Sequence, residues 1–587
     1  MKDYKRLLSY LGPYRRDLLI GALLVVVETF FELIIPVLMA NLIDVGVLKN
    51  DLHYIVSKGL QMGGCALLAL LTGLLYARFA ARSAYGWGAN IRQAQFRQVQ
   101  RYAFSNLDHF ETSSLVTRMT TDVTVLQNAV NGGLRPMVRS PMMLVMGLFL
   151  SFRMNARLAL VFLVCAPVLA VILVFVVSRV APMYGRLQKA VDGLNNVVQE
   201  WLTGIRAVKA FVRGTYEEEK FQQVNQELMD TSQRTFHYAV LNLPAFQFTM
   251  YSATVLILWL GGNMILRGEL QVGELTGFLS YVLQVMNSFM MISNVFLLLT
   301  RSLASAHRIA QVLDEEVEIP NPANGATQVA DGSIDFEGVS FKYQAGAQEY
   351  ALSDVDLHIQ AGQTVGILGG TGSSKTTLVQ LIPRLYDVTE GSVKLGGRDV
   401  REYDLTALRD AVGIVLQKNV LFSGTVRENL QWGDAQADDE TLWAACRAAC
   451  ADEFLERMPR GLDTDLGQGG VNVSGGQKQR LCIARALLKH PKVLIFDDST
   501  SAVDTATEGK IRAALAKLEG VTKIIIAQRI TSVMDADQIV ILEDGKVHAA
   551  GTHRQLLAQD PIYQEIYYSQ MKGDEEHGSP AHQRKET

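Results

Sequence analysis

Apolar positions concentrate in the first half of the chain, where they gather into six long runs. These extend from Leu18 to Ile43, Ile55 to Leu75, Met137 to Phe152, Leu158 to Val180, Leu241 to Leu266 and Leu275 to Leu299. A helix needs about 20 such residues to cross the roughly 30 Å hydrocarbon core of a bilayer. The pattern therefore predicts six membrane-spanning helices, the third the shortest, and lipid as the surrounding medium. The segment ahead of the first run is amphipathic and carries Lys2, Lys5, Arg6, Arg15 and Arg16. The first run is too long for the apolar region of a secretory signal. The positive-inside rule places this end in the cytoplasm, and six crossings return the chain there.

Two connections are long, from Ala77 to Arg135 and from Ala181 to Ala239, and both fall on the cytoplasmic side in this topology. The first carries Arg78, Arg82, Arg92, Arg97, Arg101, Arg118 and Arg135, and has no proline between Ala77 and Leu134. Both read as helices that prolong the spans beyond the membrane; about 40 residues would reach about 60 Å. Breaks are expected at Thr112-Ser113-Ser114 and at Thr203-Gly204. Arg153, Arg157 and Arg267 fall in outer loops, against the positive-inside rule.

The pattern changes after Arg301. Residues 314–332 contain Pro320, Pro322 and several acidic, Asn and Gly positions, and read as a linker. From 333 to 571 short β-rich runs alternate with helical ones, the mark of an α/β domain. Residues 572–587 are polar and read as a disordered tail. The expected organisation is a membrane domain over 1–313, the linker, an α/β domain over 333–571 and the tail. Composition removes other classes. With 49% hydrophobic and 19% charged residues the chain is not intrinsically disordered. A net charge of −4 offers no basic field for nucleic acid. The five cysteines (Cys65, Cys165, Cys446, Cys450, Cys482) follow no metal or disulfide spacing and read as free thiols.

The α/β region holds the chemistry. Val365 to Leu368 is a short buried-strand run, followed by Gly369-Gly370-Thr371-Gly372-Ser373-Ser374-Lys375-Thr376-Thr377 and a helical pattern. In this setting backbone N–H groups and a helix N-terminus meet phosphate oxygens. Lys375 supplies charge to the β/γ phosphates and the Thr376 hydroxyl is placed for Mg²⁺. The position before the lysine, usually glycine, is Ser374. Val493-Leu494-Ile495-Phe496 is an apolar strand run that ends in Asp497 and Asp498, and a carboxylate at such a strand end can hold Mg²⁺ through water. Between these elements Ser474-Gly475-Gly476-Gln477 opens a helical run.

Together these motifs resemble the ATP-binding cassette (ABC) family, and the six spans with long cytoplasmic extensions resemble its exporter-type membrane domain. The fold class this implies is a membrane α-helical domain fused to an α/β P-loop nucleotide-binding domain, a half-transporter. The resemblance assigns Tyr343 to adenine stacking and Gln417 to the metal with Thr376 and Asp497. It assigns Ser474, Gly475, Gly476 and Gln477 to the signature that completes the partner's ATP site. Asp504, in Ser501-Ala502-Val503-Asp504, falls in the loop that crosses the dimer interface. Thr203 to Phe211 resembles the second membrane-to-cassette coupling region. ATP and Mg²⁺ are implied as cofactors. So are a second half-transporter as partner, a lipid bilayer, a hydrophobic small-molecule substrate and a bacterial inner-membrane location with the cassette in the cytoplasm.

Two catalytic positions depart from the family pattern. The residue after the Mg²⁺ aspartate, usually glutamate, is Asp498, which retracts the carboxylate by one methylene. The switch position, usually histidine, is Gln528, which can hydrogen-bond to the γ-phosphate but cannot carry a proton as histidine can. With Ser374, these predict a site that binds ATP and hydrolyses it poorly. An intact signature then implies a heterodimer whose partner has the consensus Glu and His. For the cargo, Glu28 and Glu32 lie one helical turn apart in the first span. They form either an acidic patch for cationic amphiphiles or a pair satisfied by a neighbouring helix. Gln284, Asn287 and Asn294 of the sixth span are candidates for the same cavity. Export of amphipathic, multidrug-like compounds leads; a defined lipid, peptide or metal-chelate cargo, or an ATP-binding regulatory subunit, are the alternatives.

Overall fold

The computed structural model describes residues 2–344, 346–498 and 505–577. The chain forms two compact units. The first takes the residues up to Gln100 and Thr112–Glu315; the second takes Arg101–Glu111 and the chain from Glu316 onward.

The first unit is helical. It contains α1 (Lys2–Leu7), α2 (Arg15–Asn41) and α3 (Leu52–Val99). After α4 (Phe104–Asp108), which belongs to the second unit, come α5 (Thr112–Met119), α6 (Thr121–Met154) and α7 (Ala156–Ala210). It closes with α8 (Gly214–Val240), α9 (Asn242–Leu266) and α10 (Val272–Asp314). Among the described residues five helical stretches are long and apolar enough to cross a membrane: Asp3–Val47, Leu52–Val99, Thr112–Met154, Gly214–Leu266 and Val272–Asp314. A shorter apolar stretch, Ala156–Ile172, opens α7 where the fourth span was expected. Leu19, Leu60, Val171 and Phe248 are each more than two-thirds exposed. Surface of this kind suits hydrocarbon, where helices satisfy their own backbone groups.

Local chemistry sets the helix ends. Asp51 caps α3 by accepting from Tyr54 N, and Asn155 caps α7 by accepting from Arg157 N and Leu158 N. The break expected at Thr112-Ser113-Ser114 is present, since α5 begins at Thr112. The one expected at Thr203-Gly204 is not. Thr203 Oγ1 donates back to Gln199 O at 2.8 Å, and α7 continues to Ala210. Such back-bonding lets a threonine stay inside a helix. The turn comes at Phe211–Arg213, where Val212 adopts φ +54°.

Buried polar groups fasten the helices. Asp44, past the end of α2, accepts from Gly273 N (2.6 Å) and Glu274 N (3.0 Å), and so caps α10 from a distant part of the chain. Asp122 of α6 accepts from Ser305 Oγ (2.9 Å) and Arg308 Nε (2.8 Å) of α10. Trp87 Nε1 donates to Leu7 O at 2.8 Å, holding the amphipathic N-terminal segment against α3. Arg157, expected in an outer loop, lies in the first turn of α7 and pairs with Glu269 at 2.9 Å, which offsets its charge.

The second unit carries two sheets. Strands β1 (Ile334–Phe341), β2 (Leu352–Ile359), β4 (Glu390–Leu395) and β5 (Arg398–Asp399) form one, in the order β2-β1-β4-β5. The other contains β3 (Thr364–Leu368), β6 (Val412–Val415), β7 (Val493–Asp497), β8 (Thr522–Ile526), β9 (Gln538–Glu543) and β10 (Lys546–Gly551). Its order is β10-β9-β3-β8-β7-β6, parallel except for the β9–β10 pair. β7 and β8 are buried along their whole length, as parallel strands covered on both faces must be. Register places Ile367 and Asp497 opposite Ile526 on either side of β8. The carboxyl ends of β3, β8 and β7 therefore lie side by side, where open α/β sheets bind ligands.

Candidate nucleotide site

A cavity of about 490 Å³ opens at those strand ends. Gly369 to Gly372, Ser374 to Thr377, Gln417, Asp497, Asp498 and Gln528 all line it. The sequence-predicted residues of the phosphate loop, the metal position and the two departures thus share one site. Ser373 lies at its edge, buried, with its hydroxyl 3.2 Å from Lys375 Nζ.

The loop runs from β3 into α11 (Lys375–Leu381). A side chain at Gly369 would meet Leu542 O at 2.2 Å, so only glycine fits there. Ser374, in contrast, sits at φ +67°, ψ +26°, the left-handed region that glycine adopts freely. That conformation costs an L-residue about 1–2 kcal/mol. The extra chain entropy of glycine costs about 0.5–1 kcal/mol in return. Ser374→Gly is therefore expected to stabilise the chain by a few tenths to about 1 kcal/mol, read as a higher unfolding midpoint of the detergent-solubilised protein. A lower midpoint would mean that the serine side chain contributes contacts outweighing the strain.

Lys375 Nζ donates to Gly369 O (3.0 Å) and Gly370 O (2.7 Å). Burial pushes its pKa down, opposed by Asp498 and Asp497. Thr376 Oγ1 donates to Asp497 Oδ1 at 2.8 Å, so the two expected metal ligands are already adjacent. Asp497 is almost fully buried, and burial raises its pKa against the lowering effect of Thr376. Asp498 is raised for the same reason, opposed by hydrogen bonds from Gln528 and Gln417. Two carboxylates that burial makes costly to ionise fit a divalent cation, whose charge would offset that cost.

Asp498 stands at φ +46°, and Gln528 Nε2 donates to its Oδ2 at 2.7 Å. The two departures from the family pattern therefore satisfy each other. The Gln528 amide in this pair cannot shuttle a proton in the way histidine does.

Tyr343 is half-exposed, and its hydroxyl lies 2.7 Å from Thr377 Oγ1. Its ring meets Tyr386 edge-on, with centroids 5.3 Å apart. Tyr386 in turn donates to Asp108 Oδ2 at 2.9 Å and packs edge-on against Phe104. Asn106 Nδ2 donates to Glu316 O at 2.7 Å. These partners of α4 were not foreseen, because residues 101–111 read only as part of a long helical connection.

The signature lies on α12 (Gly475–Leu487). Ser474 caps it: its N–H donates to Gln477 Oε1 at 2.9 Å and its Oγ accepts from Gln477 N at 3.4 Å. A Cβ built at Gly475 meets nothing within 4 Å among the described residues. Asp504 lies outside the described residues.

In the membrane unit Glu28 pairs with Arg135, and Glu32 with Arg139 at 2.6 Å. Both acids of α2 thus face cations of α6, and the expected acidic patch is neutralised; the helix-satisfied alternative describes the geometry. Gln284 is half-buried, and Asn287 and Asn294 are exposed. At the end of the α7–α8 hairpin a cavity of about 510 Å³ is lined by Trp201, Ile205, Val208 and Phe221 among others. Phe211 and Val212 beside it are more than three-quarters exposed.

A helical membrane unit joined to a parallel-sheet α/β unit with a phosphate-loop geometry at its strand ends fits an ATP-driven membrane transporter. Residues 18–289 match the model of the ABC transporter transmembrane region, and residues 352–501 that of the ABC transporter. The chain is 37% identical over 567 residues to an uncharacterised ABC transporter ATP-binding protein, YfiB, of Bacillus subtilis, covering 97% of this chain and 98% of that one. It is 32% identical over 574 residues to the ATP-dependent lipid A-core flippase of Desulfotalea psychrophila, covering 96% and 99%. Its fold matches a bacterial Atm1-family ABC exporter with ATP bound, at a TM-score of 0.80 and 24% identity over 95% of this chain and 99% of that one. The chain belongs to the ABC transporter family, as a half-transporter that combines the transmembrane region with the ATPase domain.

Proposed function

We propose that the chain is the degenerate-site subunit of a heterodimeric exporter. It binds MgATP in its own site, hydrolyses it slowly, and lends its signature to a partner that carries the consensus glutamate and histidine. The observation that supports this reading is the Asp498–Gln528 hydrogen bond beside an assembled Thr376–Asp497 pair. Binding elements are complete, whereas the elements that activate water are replaced. In this reading the two cassettes close over ATP and turn the membrane units from inward-open to outward-open. In this reading, too, the chain crosses a bacterial inner membrane six times, with the N-terminus and the cassette on the cytoplasmic side.

The cargo of this reading is an amphipathic small molecule, with Gln284, Asn287 and Asn294 as polar positions on the sixth span. Charge-paired Glu28 and Glu32 favour a neutral or zwitterionic cargo over a cation. A lipid is the second reading, supported by the likeness to the lipid A-core flippase across nearly the whole chain. The test uses the purified full-length chain. MgATP should bind and remain intact over many minutes, and ATP turnover should appear only when a consensus partner is added. Fast hydrolysis by the chain alone would overturn the degenerate-site reading.

A further inference from the structure

The backbone after β8 turns away from the nucleotide cavity through Gln528, Arg529 and a short 3-10 turn, Ile530–Ser532. A loop of this kind would be free to wander, yet three of its peptide groups are tied by side chains from other elements. Gln570, on the C-terminal helix α14 (Pro561–His577; α13 being Thr505–Ala516), holds two of them. Its Nε2 donates to Gln528 O at 2.9 Å, and its Oε1 accepts from Ile530 N at 2.8 Å. Arg512 of α13 donates to Thr531 O.

The α14 helix is itself fixed in place. Asp560 Oδ1 accepts from Tyr563 N at 2.7 Å at its start. Tyr563 is fully buried, its hydroxyl 2.6 Å from His553 Nδ1. Gln570 lies two turns further along, so its amide is presented from a rigid support.

We infer that Gln570 is a positioning residue for the nucleotide site: its amide clamps the peptide groups on both sides of Arg529 and thereby aims the Gln528 side chain at the γ-phosphate. The inference rests on the assignment of Gln528 to the γ-phosphate made above. A primary amide suits the task because it offers a donor and an acceptor together. A carboxylate offers only acceptors. The carbonyl of Gln528 and the N–H of Ile530 need one of each. The same residue that replaces the family's histidine is thus held by its own backbone, and Asp498 meets its side chain at the other end.

The role separates ATP from ADP, because only ATP carries the phosphate that Gln528 would reach. In the full-length chain, Gln570→Ala should weaken MgATP binding about tenfold, the scale of one hydrogen bond to a charged group. MgADP binding should stay within about twofold. Hydrogen exchange at Ile530 N–H should accelerate in Gln570→Ala and stay slow in Gln570→Glu, which retains the acceptor but loses the donor to Gln528 O. Gln570→Glu should nevertheless lose the ATP preference. MgADP binding by each variant reports that the cassette is folded. Equal weakening of both nucleotides, or unaltered exchange at Ile530 in Gln570→Ala, overturns the clamp. A parent chain with no preference for MgATP over MgADP overturns instead the placement of Gln528 at the γ-phosphate, while the exchange measurement still judges the clamp.

Discussion

Gly475→Asp is expected to cut the ATP turnover of the reconstituted pair at least 100-fold, while Asp498→Asn leaves more than half of it. The contrast runs against first appearance, since Asp498 is a carboxylate in the nucleotide cavity, whereas a Cβ at Gly475 would meet nothing within 4 Å among the described residues. The empty space around Gly475 is the reason. A side chain there disturbs no internal packing, so its effect falls on whatever approaches the start of α12. In the proposed dimer that is the ATP held by the partner. A helix N-terminus attracts phosphate through its free N–H groups and dipole; an aspartate there adds like charge as well as bulk. A loss of two decades corresponds to about 2.7 kcal/mol of barrier. Both variants need measuring in the same preparation, with MgATP binding as the control for folding. If Asp498→Asn proves the more damaging, hydrolysis takes place in this chain's own site.

Restoring the consensus should work in the other direction. Asp498→Glu with Gln528→His is expected to raise the ATPase rate of the chain purified alone by about 10²-fold, the scale on which a carboxylate misplaced by about 1 Å loses efficiency. Either change alone should give less. Asp498 and Gln528 are hydrogen-bonded to each other, and substitutions at partners in contact do not add. Steady-state ATPase of the two single variants and the double variant reads this directly. A double variant no faster than the parent would place the defect elsewhere, with the strained Ser374 the next position to examine.

Most of the nucleotide site was legible because its signals are contiguous. A strand, a glycine-rich loop and a Lys-Thr pair stand next to one another, and Asp497-Asp498 end an apolar run. The fold supplies only the register that brings β3, β7 and β8 together. The membrane helices were legible from length alone. What escaped has the opposite character, in that its partners are far apart in the chain. Arg135 lies 107 residues from Glu28, and Gly273 lies 229 residues from Asp44. No local pattern announces that a carboxylate will find that particular cation or helix end. Thr203-Gly204 shows the reverse error. Local propensity suggested a break, and a single back-bond from Thr203 with the cooperativity of a long helix carried α7 through it.

The membership of Arg101–Glu111 in the second unit changes what counts as a cassette. By sequence the cassette begins after the linker; by packing it includes eleven residues that are encoded between two membrane-domain helices. Phe104 and Asp108 cover Tyr386, and Asn106 satisfies the backbone at Glu316 and Glu318. A protein cut at the linker would leave that ground bare, next to the tyrosine assigned to adenine. Recombination between relatives meets the same obstacle. An exchange at the linker joins one protein's cassette to another's α4, and the hybrid inherits a mismatched seam. The segment and the cassette surface beneath it are therefore bound to change together, as one inherited part written in two separate places.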